Sequence, residues 1–281
     1  MTHYSTLHIH NEGCTHTILL NRPEKRNALT HQLMEELTDA LESVATNPLC
    51  RVVILTGAGS AFCAGLDLEH LRTMAEKSGH QSFSQEYKAD AERIATLLRT
   101  LYYLPLPTIA AVNGPAIAGG MGIATLCDFT LAVPEAKFGY TEVRIGFIPA
   151  IVSAFLRTQI GDKRSRDLLL TGRLLSATEA QALGLVTRIV HEPELMTEAR
   201  ALAARLQRNS PAAMEATKRL LGTFADRSLS DDIEAAIRAN VEVRTTDDFR
   251  EGVHAFLEKR NPKWPSLQKS KTPPLPADLV P

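Results

Sequence analysis

Two glycine turns, each placed after an apolar run, are the first features of this sequence that could do chemistry. Thr108–Val112 is short, apolar and rich in branched residues, which is typical of a buried strand, and Gly119-Gly120 opens the apolar segment Met121–Cys127. A helix that begins at a glycine pair leaves backbone N–H groups open to a ligand, and its dipole favours negative charge there. The turn is therefore a candidate oxyanion site, although a structural turn is the commoner explanation for such a pattern alone.

The second turn follows Arg51–Thr56, which has the composition of a strand, and lies within Gly57–Leu71. Phe62 stands where the third glycine of a dinucleotide-binding fingerprint should fall, and the chain has no phosphate-binding GxxxxGK[ST] motif. What remains is a turn in which Ala64-Gly65 leads toward a helix. Two such turns can direct two backbone N–H groups at one oxygen, which is the arrangement that acyl chemistry requires.

Five motifs extend the pattern over nearly the whole chain, from residue 5 to about residue 264, and in order and spacing they resemble the crotonase superfamily, the enoyl-CoA hydratases and isomerases. They are LNRPEKRNAL at Leu20–Leu29, AFCAGLDL at Ala61–Leu68, AAVNGPAIAGG at Ala110–Gly120, FGYTEVRIGFIP at Phe138–Pro149, and AFLEKR at Ala255–Arg260.

The resemblance implies an α/β fold, a spiral of repeated ββα units followed by C-terminal helices that pack in trimers or in pairs of trimers. It implies an acyl-CoA thioester as substrate, with no separate cofactor because coenzyme A is part of the substrate, and no metal. By position, the oxyanion hole would be formed by the backbone N–H groups of Ala64 and Gly119.

The same resemblance assigns contacts with the coenzyme A ester and a possible acyl pocket. The expected contacts are Lys25, Arg26, Ala28, Cys63, Ala64, Gly65, Leu66, Asp67, Gly119, Phe256 and Lys259, and the possible pocket residues are Gly122, Tyr140 and Pro149. We interpret the Cys63 side chain as packing beside the backbone donor rather than as a nucleophile, because no histidine lies near it in sequence.

Glu142 is the candidate proton carrier. Hydratases of this family carry two glutamates, and Glu142 matches the second, whereas the first falls at Gly122. The apolar neighbours Phe138, Val143 and Ile145 indicate a buried turn, where desolvation would raise the pKa of Glu142 and suit it to proton transfer.

One carboxylate leaves two catalytic alternatives open. It can move a proton between carbons, as in enoyl-CoA isomerases, or it can activate water and then supply the α proton, as in hydration. The strings TEVRIGFIPA and GDKRSRDLLLTGR resemble bacterial methylglutaconyl-CoA hydratases, so hydration or dehydration of an enoyl-CoA is the leading prediction. A non-catalytic or RNA-binding family member is a third alternative, disfavoured by the retained Glu142 and a near-zero net charge.

Composition agrees with an enzyme of small molecules. The chain has 281 residues, 44% of them hydrophobic and 22% charged, with a formal net charge of −1, so no basic field favours nucleic acid or membrane. No apolar run reaches the length of a membrane span, and the N-terminus does not have the pattern of a secretory signal. The four cysteines lack metal-ligand spacing, so we expect reduced thiols in a cytoplasmic protein.

Alternating strands and helices up to about residue 192 give way to helices alone, at about 193–208, 211–223, 230–243 and 247–259. We therefore predict a core domain over residues 1–192, a helical oligomerisation region over 193–267 and a flexible tail over 268–281. Residues 67–101 are predicted to be polar and mostly helical with a break near 78–80. His70, Tyr87 and Glu92 in that region could reach a pocket, although a surface or capping role is the commoner one for such residues.

Overall fold

A computed structural model describes residues 4–76 and 84–265 and gives the chain an α/β fold built on two sheets. The strands are β1 Leu7–Glu12, β2 Thr15–Leu20, β3 Val52–Gly57, β4 Thr108–Val112, β5 Ala116–Ile117, β6 Phe129–Ala132, β7 Lys137–Gly139, β8 Leu175–Ser176 and β9 Arg188–Ile189. The larger sheet has the order β1-β2-β3-β4-β6-β9, antiparallel only between β1 and β2, and the smaller has the order β5-β7-β8.

Helices cover these sheets and form the C-terminal part of the chain. They are α1 His31–Thr46, α2 Leu68–Glu76, α3 Ser84–Tyr102, α4 Gly119–Leu126, α5 Ala150–Thr171, α6 Ala177–Ala182, α7 Leu195–Leu206, α8 Pro211–Val243 and α9 Asp247–Leu257. None of these helices, as far as the described ranges extend, is both long and apolar enough to cross a membrane.

The order of elements produces a spiral, as the motifs predict. Each turn places one strand in the larger sheet and one short strand in the smaller sheet and then a helix, as in β4-β5-α4 and β6-β7-α5. The turn before them follows the same plan, because Cys63 bridges Ala116 of β5 before the chain enters α2. The central strands β3 and β4 are buried along their whole length, which explains their continuous apolar runs.

The two glycine turns touch each other at Gly120. A Cβ atom on Gly120 would lie 2.3 Å from the carbonyl oxygen of Cys63, so only glycine allows this approach. The Ile117 N–H donates to the same Cys63 carbonyl at 2.9 Å. The relative position of the two turns is therefore set by direct backbone contact.

The C-terminal helices pack on the spiral in different places. Helix α7 follows the predicted boundary at residue 192 and lies against β3, β4 and β6, with Leu195 and Leu202 in the main core. Helix α9 lies against α2 and the 3-10 turn Glu142–Ile145, where Phe249 and Phe147 belong to a second apolar cluster. The domain division at residue 192 stays a prediction.

Three features of the elements depend on where glycine stands. The tip of the β1–β2 hairpin is Gly13-Cys14, because Glu12 pairs with Thr15 and Gly13 supplies the left-handed φ of 59°. Helix α5 contains Gly161 as a non-helical kink. The break expected at residues 224–229 is helical within α8, and that stretch contains neither glycine nor proline.

The remaining predicted elements lie close to their expected places. Strand β4 has the predicted bounds, and the last strand, β9, has only two residues. A capping box begins α6, where Ser176 and Glu179 exchange side-chain and backbone hydrogen bonds. The predicted break near 78–80 and the predicted tail over 268–281 lie outside the described residues.

Candidate active site

An inner cavity of about 50 Å³ lies where the start of α4 faces the turn that carries Glu142. Gly119, Glu142 and the predicted pocket residue Pro149 line it, together with the apolar side chains of Leu29, Met34, Leu66, Ile94, Phe147, Ile148, Ile151 and Val152. A wider surface groove adjoins the cavity, and Glu142, Leu66 and Phe147 line both. Glu142 therefore stands at the boundary between the inner cavity and the groove.

Backbone geometry fixes the turn that carries Glu142. The 3-10 turn Glu142–Ile145 ends at Gly146, which has a left-handed φ of 68° and whose N–H donates back to Val143. The Phe147 N–H donates to the Glu142 carbonyl at 3.0 Å. A Cβ on Gly146 would lie 2.3 Å from the Asp248 carbonyl of α9, so α9 rests directly on this turn.

The carboxyl group of Glu142 is buried, and no described residue forms an ion pair with it. Glu142 is 9% exposed, and its Oε2 atom has no hydrogen-bond partner in the described part of the chain. Burial disfavours the charged form and raises the pKa of Glu142 to about 7. A carboxyl that titrates near neutral pH can both accept and return a proton, which is what a general acid–base group requires.

The start of α4 presents a backbone donor to the same cavity. No hydrogen-bond partner is found for the Gly119 N–H among the described residues, as is usual for the first residue of a helix. The preceding Ala118 has φ 51° and ψ −123°, a strained conformation for a residue with a Cβ atom, and its N–H donates to the Gly139 carbonyl at 2.7 Å. This turn places a helix N-terminus beside Glu142, where it favours an oxyanion.

The second predicted donor is engaged in this structure. The Ala64 N–H donates to the Arg26 carbonyl at 3.0 Å, and Ala64 lines the groove rather than the inner cavity. Arg26 and Asn27 both have left-handed φ angles, of 50° and 54°. The Asn27 side-chain amide holds this conformation by donating to the Ala58 and Ala61 carbonyls, each at 2.9 Å. The part of Ala64 in an oxyanion hole stays a prediction.

The groove collects some of the predicted coenzyme A contacts. Ala64, Leu66 and Phe256 line it, and Phe256 is 50% exposed. Lys25, Arg26 and Lys259 are exposed, and none of them is among the residues found to line the groove. The sequence interpretation missed several lining residues that are contributed by four separate segments: Leu68, Ile117, Leu174, Arg260 and Pro262.

Other predicted contacts have structural partners. The Asp67 carboxylate accepts from Arg22 Nη2 at 3.1 Å and from the Glu69 N–H at 3.0 Å. The Ala28 carbonyl accepts from Arg22, and the Gly65 carbonyl accepts from the Leu29 N–H at 2.7 Å. Each of these groups holds the loop before α1 against the start of α2.

The Cys63 side chain is a packing residue and not a nucleophile, in agreement with the interpretation of the sequence. The residue is fully buried, and burial raises the pKa of its thiol to about 12, so the thiolate is absent at neutral pH.

Gly122 and Tyr140 are not among the residues that line the cavity or the groove, contrary to the pocket prediction. A Cβ on Gly122 would lie 2.8 Å from Val152 Cγ1, so the valine methyl fills the space where the first family glutamate would stand. Tyr140 is fully buried, and its hydroxyl hydrogen-bonds the Thr125 side chain.

A polar cluster that the sequence interpretation missed forms another wall of the inner cavity. His70, Asp90, Asn240 and Arg244 line this wall. The sequence contains a sign of this cluster, because Asn240 and Arg244 follow Ile237 at helical spacing on the same face. A polar residue on an otherwise apolar helical face is unusual and therefore marks a position that needs an explanation.

The expectation for residues 67–101 holds only in part. Tyr87 is fully buried, which contradicts its assignment to the surface, whereas Glu92 is exposed and pairs with Lys88. His70 Nε2 lies 3.4 Å from Asp90 Oδ2, so this histidine faces the interior of the cavity wall instead of capping a helix.

His31, His70 and Asp90 lie close enough together to suggest a metal site, since one ligand atom of each falls within 4.8 Å of the others. Both oxygens of Asp90 are already bonded to guanidinium groups, Oδ1 to Arg93 at 3.0 Å and Oδ2 to Arg244 at 3.1 Å. Two cations at these distances would repel a metal ion. The cluster therefore fits an ion-pair network better than a metal centre.

Comparisons with known proteins agree with this geometry. The family described as "Enoyl-CoA hydratase/isomerase" matches residues 11–268. A putative enoyl-CoA hydratase of Thermus thermophilus is 42% identical over 253 residues, 90% of this chain and 98% of that protein. An enoyl-CoA isomerase/hydratase of Mycosarcoma maydis is 31% identical, covering 87% of this chain and 90% of its own length. The crystal structure of an enoyl-CoA hydratase from Bacillus halodurans superposes with a TM-score of 0.82 at 26% identity, covering 89% of this chain and all of that one. The chain belongs to the enoyl-CoA hydratase/isomerase family, the crotonase superfamily.

Proposed function

We propose that this protein is an enzyme that adds water to the double bond of an α,β-unsaturated acyl-CoA, or removes it in reverse, with Glu142 as the one proton carrier. The observation that carries the proposal is the buried Glu142 carboxyl, whose pKa lies near 7, in one cavity with the Gly119 N–H. The relatives named as hydratases, such as the Thermus thermophilus protein, support the same chemistry.

The thioester carbonyl oxygen binds at the Gly119 N–H, where the start of α4 stabilises developing negative charge. Glu142 takes a proton from a water molecule, and the water oxygen forms a bond with the β carbon. The electron pair of the double bond moves to give an enolate at the thioester. Protonated Glu142 then returns the proton to the α carbon, so that one water is added in total and Glu142 is regenerated.

The Ala64 N–H joins Gly119 as the second donor in this proposal. The Ala64 N–H already donates to the Arg26 carbonyl, so the thioester oxygen competes with that carbonyl for one proton. The thioester oxygen then either shares this N–H with the Arg26 carbonyl or displaces the carbonyl from it. The groove that contains Phe256 and Arg260 receives the coenzyme A part of the substrate. We extend the proposal to a trimer or a pair of trimers, which would cover exposed apolar side chains such as Leu220 and Leu221.

Double-bond isomerisation is the second candidate, because Gly122 provides no carboxylate and Val152 occupies the space beside it. The other carboxylate on the inner cavity, Asp90, is bonded to Arg93 and Arg244 and is held by them in its charged form. In isomerisation Glu142 removes a proton from the γ carbon and returns it to the α carbon. No water oxygen enters the product.

Mass spectrometry of products formed in heavy-oxygen water separates these two reactions. The purified enzyme is offered a panel of short and branched enoyl-CoA esters, and each product is analysed for mass and double-bond position. We expect the heavy oxygen to be incorporated at the β carbon. A shifted double bond without incorporated oxygen would establish isomerisation, and absence of turnover across the panel would contradict both candidates.

Replacing Glu142 by Gln keeps the size of the side chain and removes its ability to accept a proton. We expect kcat to fall by about 10²–10⁴, the usual contribution of a general base, with little change in KM because the substrate contacts remain. Steady-state kinetics on the best ester of the panel measure this. Glu135→Gln, at an exposed position outside the cavity, is the control. Full activity in Glu142→Gln would remove Glu142 from the mechanism.

The contribution of the Gly119 donor is tested by a matched pair of variants. Gly119→Pro removes the N–H at the first position of α4, and Gly119→Ala keeps it, while both place a Cβ against Leu29 Cδ1. We expect kcat of the proline variant to lie about 10²–10³ below that of the alanine variant, the usual loss of one oxyanion donor. Circular dichroism verifies that both variants fold. Equal kcat values would show that Gly119 is not a donor.

A further inference from the structure

Asn240 is a polar side chain in the inner cavity, and none of the described residues forms a hydrogen bond with its amide oxygen. It is 4% exposed, and its Oδ1 atom has no hydrogen-bond partner in the described ranges. A buried amide without a partner is destabilising, since its hydrogen bonds to water are lost and not replaced. Asn240 lies on the lining of the cavity that also contains Glu142. A ligand group in that cavity could supply the missing hydrogen bonds.

Arg244 is the C-cap residue that directly follows α8, four residues after Asn240, and it lines the same cavity. Its Nη1 donates to Asp90 Oδ2 at 3.1 Å, and its guanidinium carbon lies 5.7 Å from the centre of the Tyr87 ring and 5.5 Å from that of Phe147. These contacts fix the guanidinium in place. A fixed guanidinium with its several N–H groups is well suited to bind a second oxygen acceptor.

The surroundings of Asp90 favour a negative charge at that carboxylate. Asp90 is approached by two guanidinium groups, of Arg93 and Arg244, and by the imidazoles of His31 and His70. Burial by itself raises the pKa of Asp90, but the hydrogen bond from His70 and the charge of Arg244 lower this pKa to about 2. The surroundings of Asp90 therefore favour negative charge strongly enough to outweigh its desolvation.

The opposite part of the cavity is apolar, so the cluster is a localised polar wall. Leu29, Met34, Ile94 and Ile151 contribute hydrocarbon surface. An unbranched fatty acyl chain would gain nothing from the polar wall and would leave the Asn240 amide without a partner. A short acyl group with an acidic end would place its carbon chain on the apolar surface and its oxygens beside Asn240 and Arg244.

We propose that Asn240 and Arg244 form a subsite for a carboxylate at the far end of a short acyl chain, so that the preferred substrates are CoA esters of unsaturated dicarboxylic acids. This proposal rests on the proposed function, because it places the acyl chain in the cavity of Glu142. The Asn240 amide rotates to donate through its NH₂ group, and Arg244 donates through its guanidinium while it keeps its bond to Asp90.

The test compares three esters on the unmodified enzyme: crotonyl-CoA, its derivative with a terminal carboxylate, and the corresponding terminal carboxamide. The carboxamide has nearly the shape of the carboxylate without its charge. We expect the carboxylate ester to give the highest kcat/KM, by about tenfold or more over crotonyl-CoA, the usual value of one hydrogen bond to a charged group. The carboxamide should fall between them.

Two variants test the residue directly. Asn240→Leu removes the hydrogen-bonding group at similar size, and we expect kcat/KM for the carboxylate ester to fall about 10- to 100-fold further than that for crotonyl-CoA. Asn240→Asp keeps the shape and adds a negative charge, so it should reject the carboxylate ester most strongly. Thermal unfolding measures folding independently, and Asn240→Leu should be at least as stable as the native protein because an unpaired buried amide is removed.

The outcomes separate the subsite from the reaction. Turnover of crotonyl-CoA at a rate equal to or above that of the carboxylate ester, unchanged in ratio by either variant, would overturn the subsite and leave the proposed function standing. A parallel loss on all esters would assign Asn240 a purely structural part and would also overturn the subsite. Absence of turnover of every ester by the native enzyme would instead contradict the proposed function.

Discussion

The rest of this structure depends on the burial of one carboxyl group, that of Glu142, for which the described residues supply no counter-ion. Desolvation of Glu142 raises its pKa from 4.5 to about 7, and the folded state therefore binds a proton more tightly than the unfolded chain. The resulting contribution to stability is complete below about pH 4.5 and is lost as the pH rises through about 7. At neutral pH the protein thus gives up stability in order to hold a reactive group, a compromise common at active sites.

The surrounding elements serve to hold that carboxyl and keep water from solvating it. The turn Glu142–Ile145 leaves β7, contacts α9 through Gly146 and is covered by Phe147 and Phe249. Helix α4 begins on the facing side because the strained Ala118 turns the chain directly after β5. The direct contact between Gly120 and the Cys63 carbonyl then ties this helix start to the earlier turn. A change in any of these contacts alters the distance between Glu142, the proposed proton carrier, and Gly119, the proposed oxyanion donor.

The sequence predicted the features that depend on local pattern. The apolar run of β4, the helix start at Gly119 and the burial of Glu142 all follow from residue types at short spacing, and each is found in the structure. The hydrogen bond between Ala64 and the Arg26 carbonyl could not be predicted, because it needs a left-handed conformation at an arginine, a residue that does not favour one.

Features that depend on packing between distant segments could not be predicted from the sequence either. The methyl group in front of Gly122 comes from Val152, thirty residues later, and the partner of Asp90 is Arg244 on another helix. Asp90, Asn240 and Arg244 are polar residues on otherwise apolar helical stripes, and the sequence pattern shows this. The pattern does not show which residues they contact. The proposed subsite for the end of the acyl chain therefore follows from the assembled cavity and not from the sequence pattern.

We expect the Glu142 carboxyl to titrate near neutral pH because it is buried. The most direct measurement is an infrared titration of carboxyl absorption, taken as the difference between the native protein and Glu142→Gln in the absence of substrate. One carboxyl in the difference spectrum should have a midpoint near pH 7. A midpoint near 4.5, the ordinary value for a glutamate, would show that the group is solvated and that the fold does not raise its pKa.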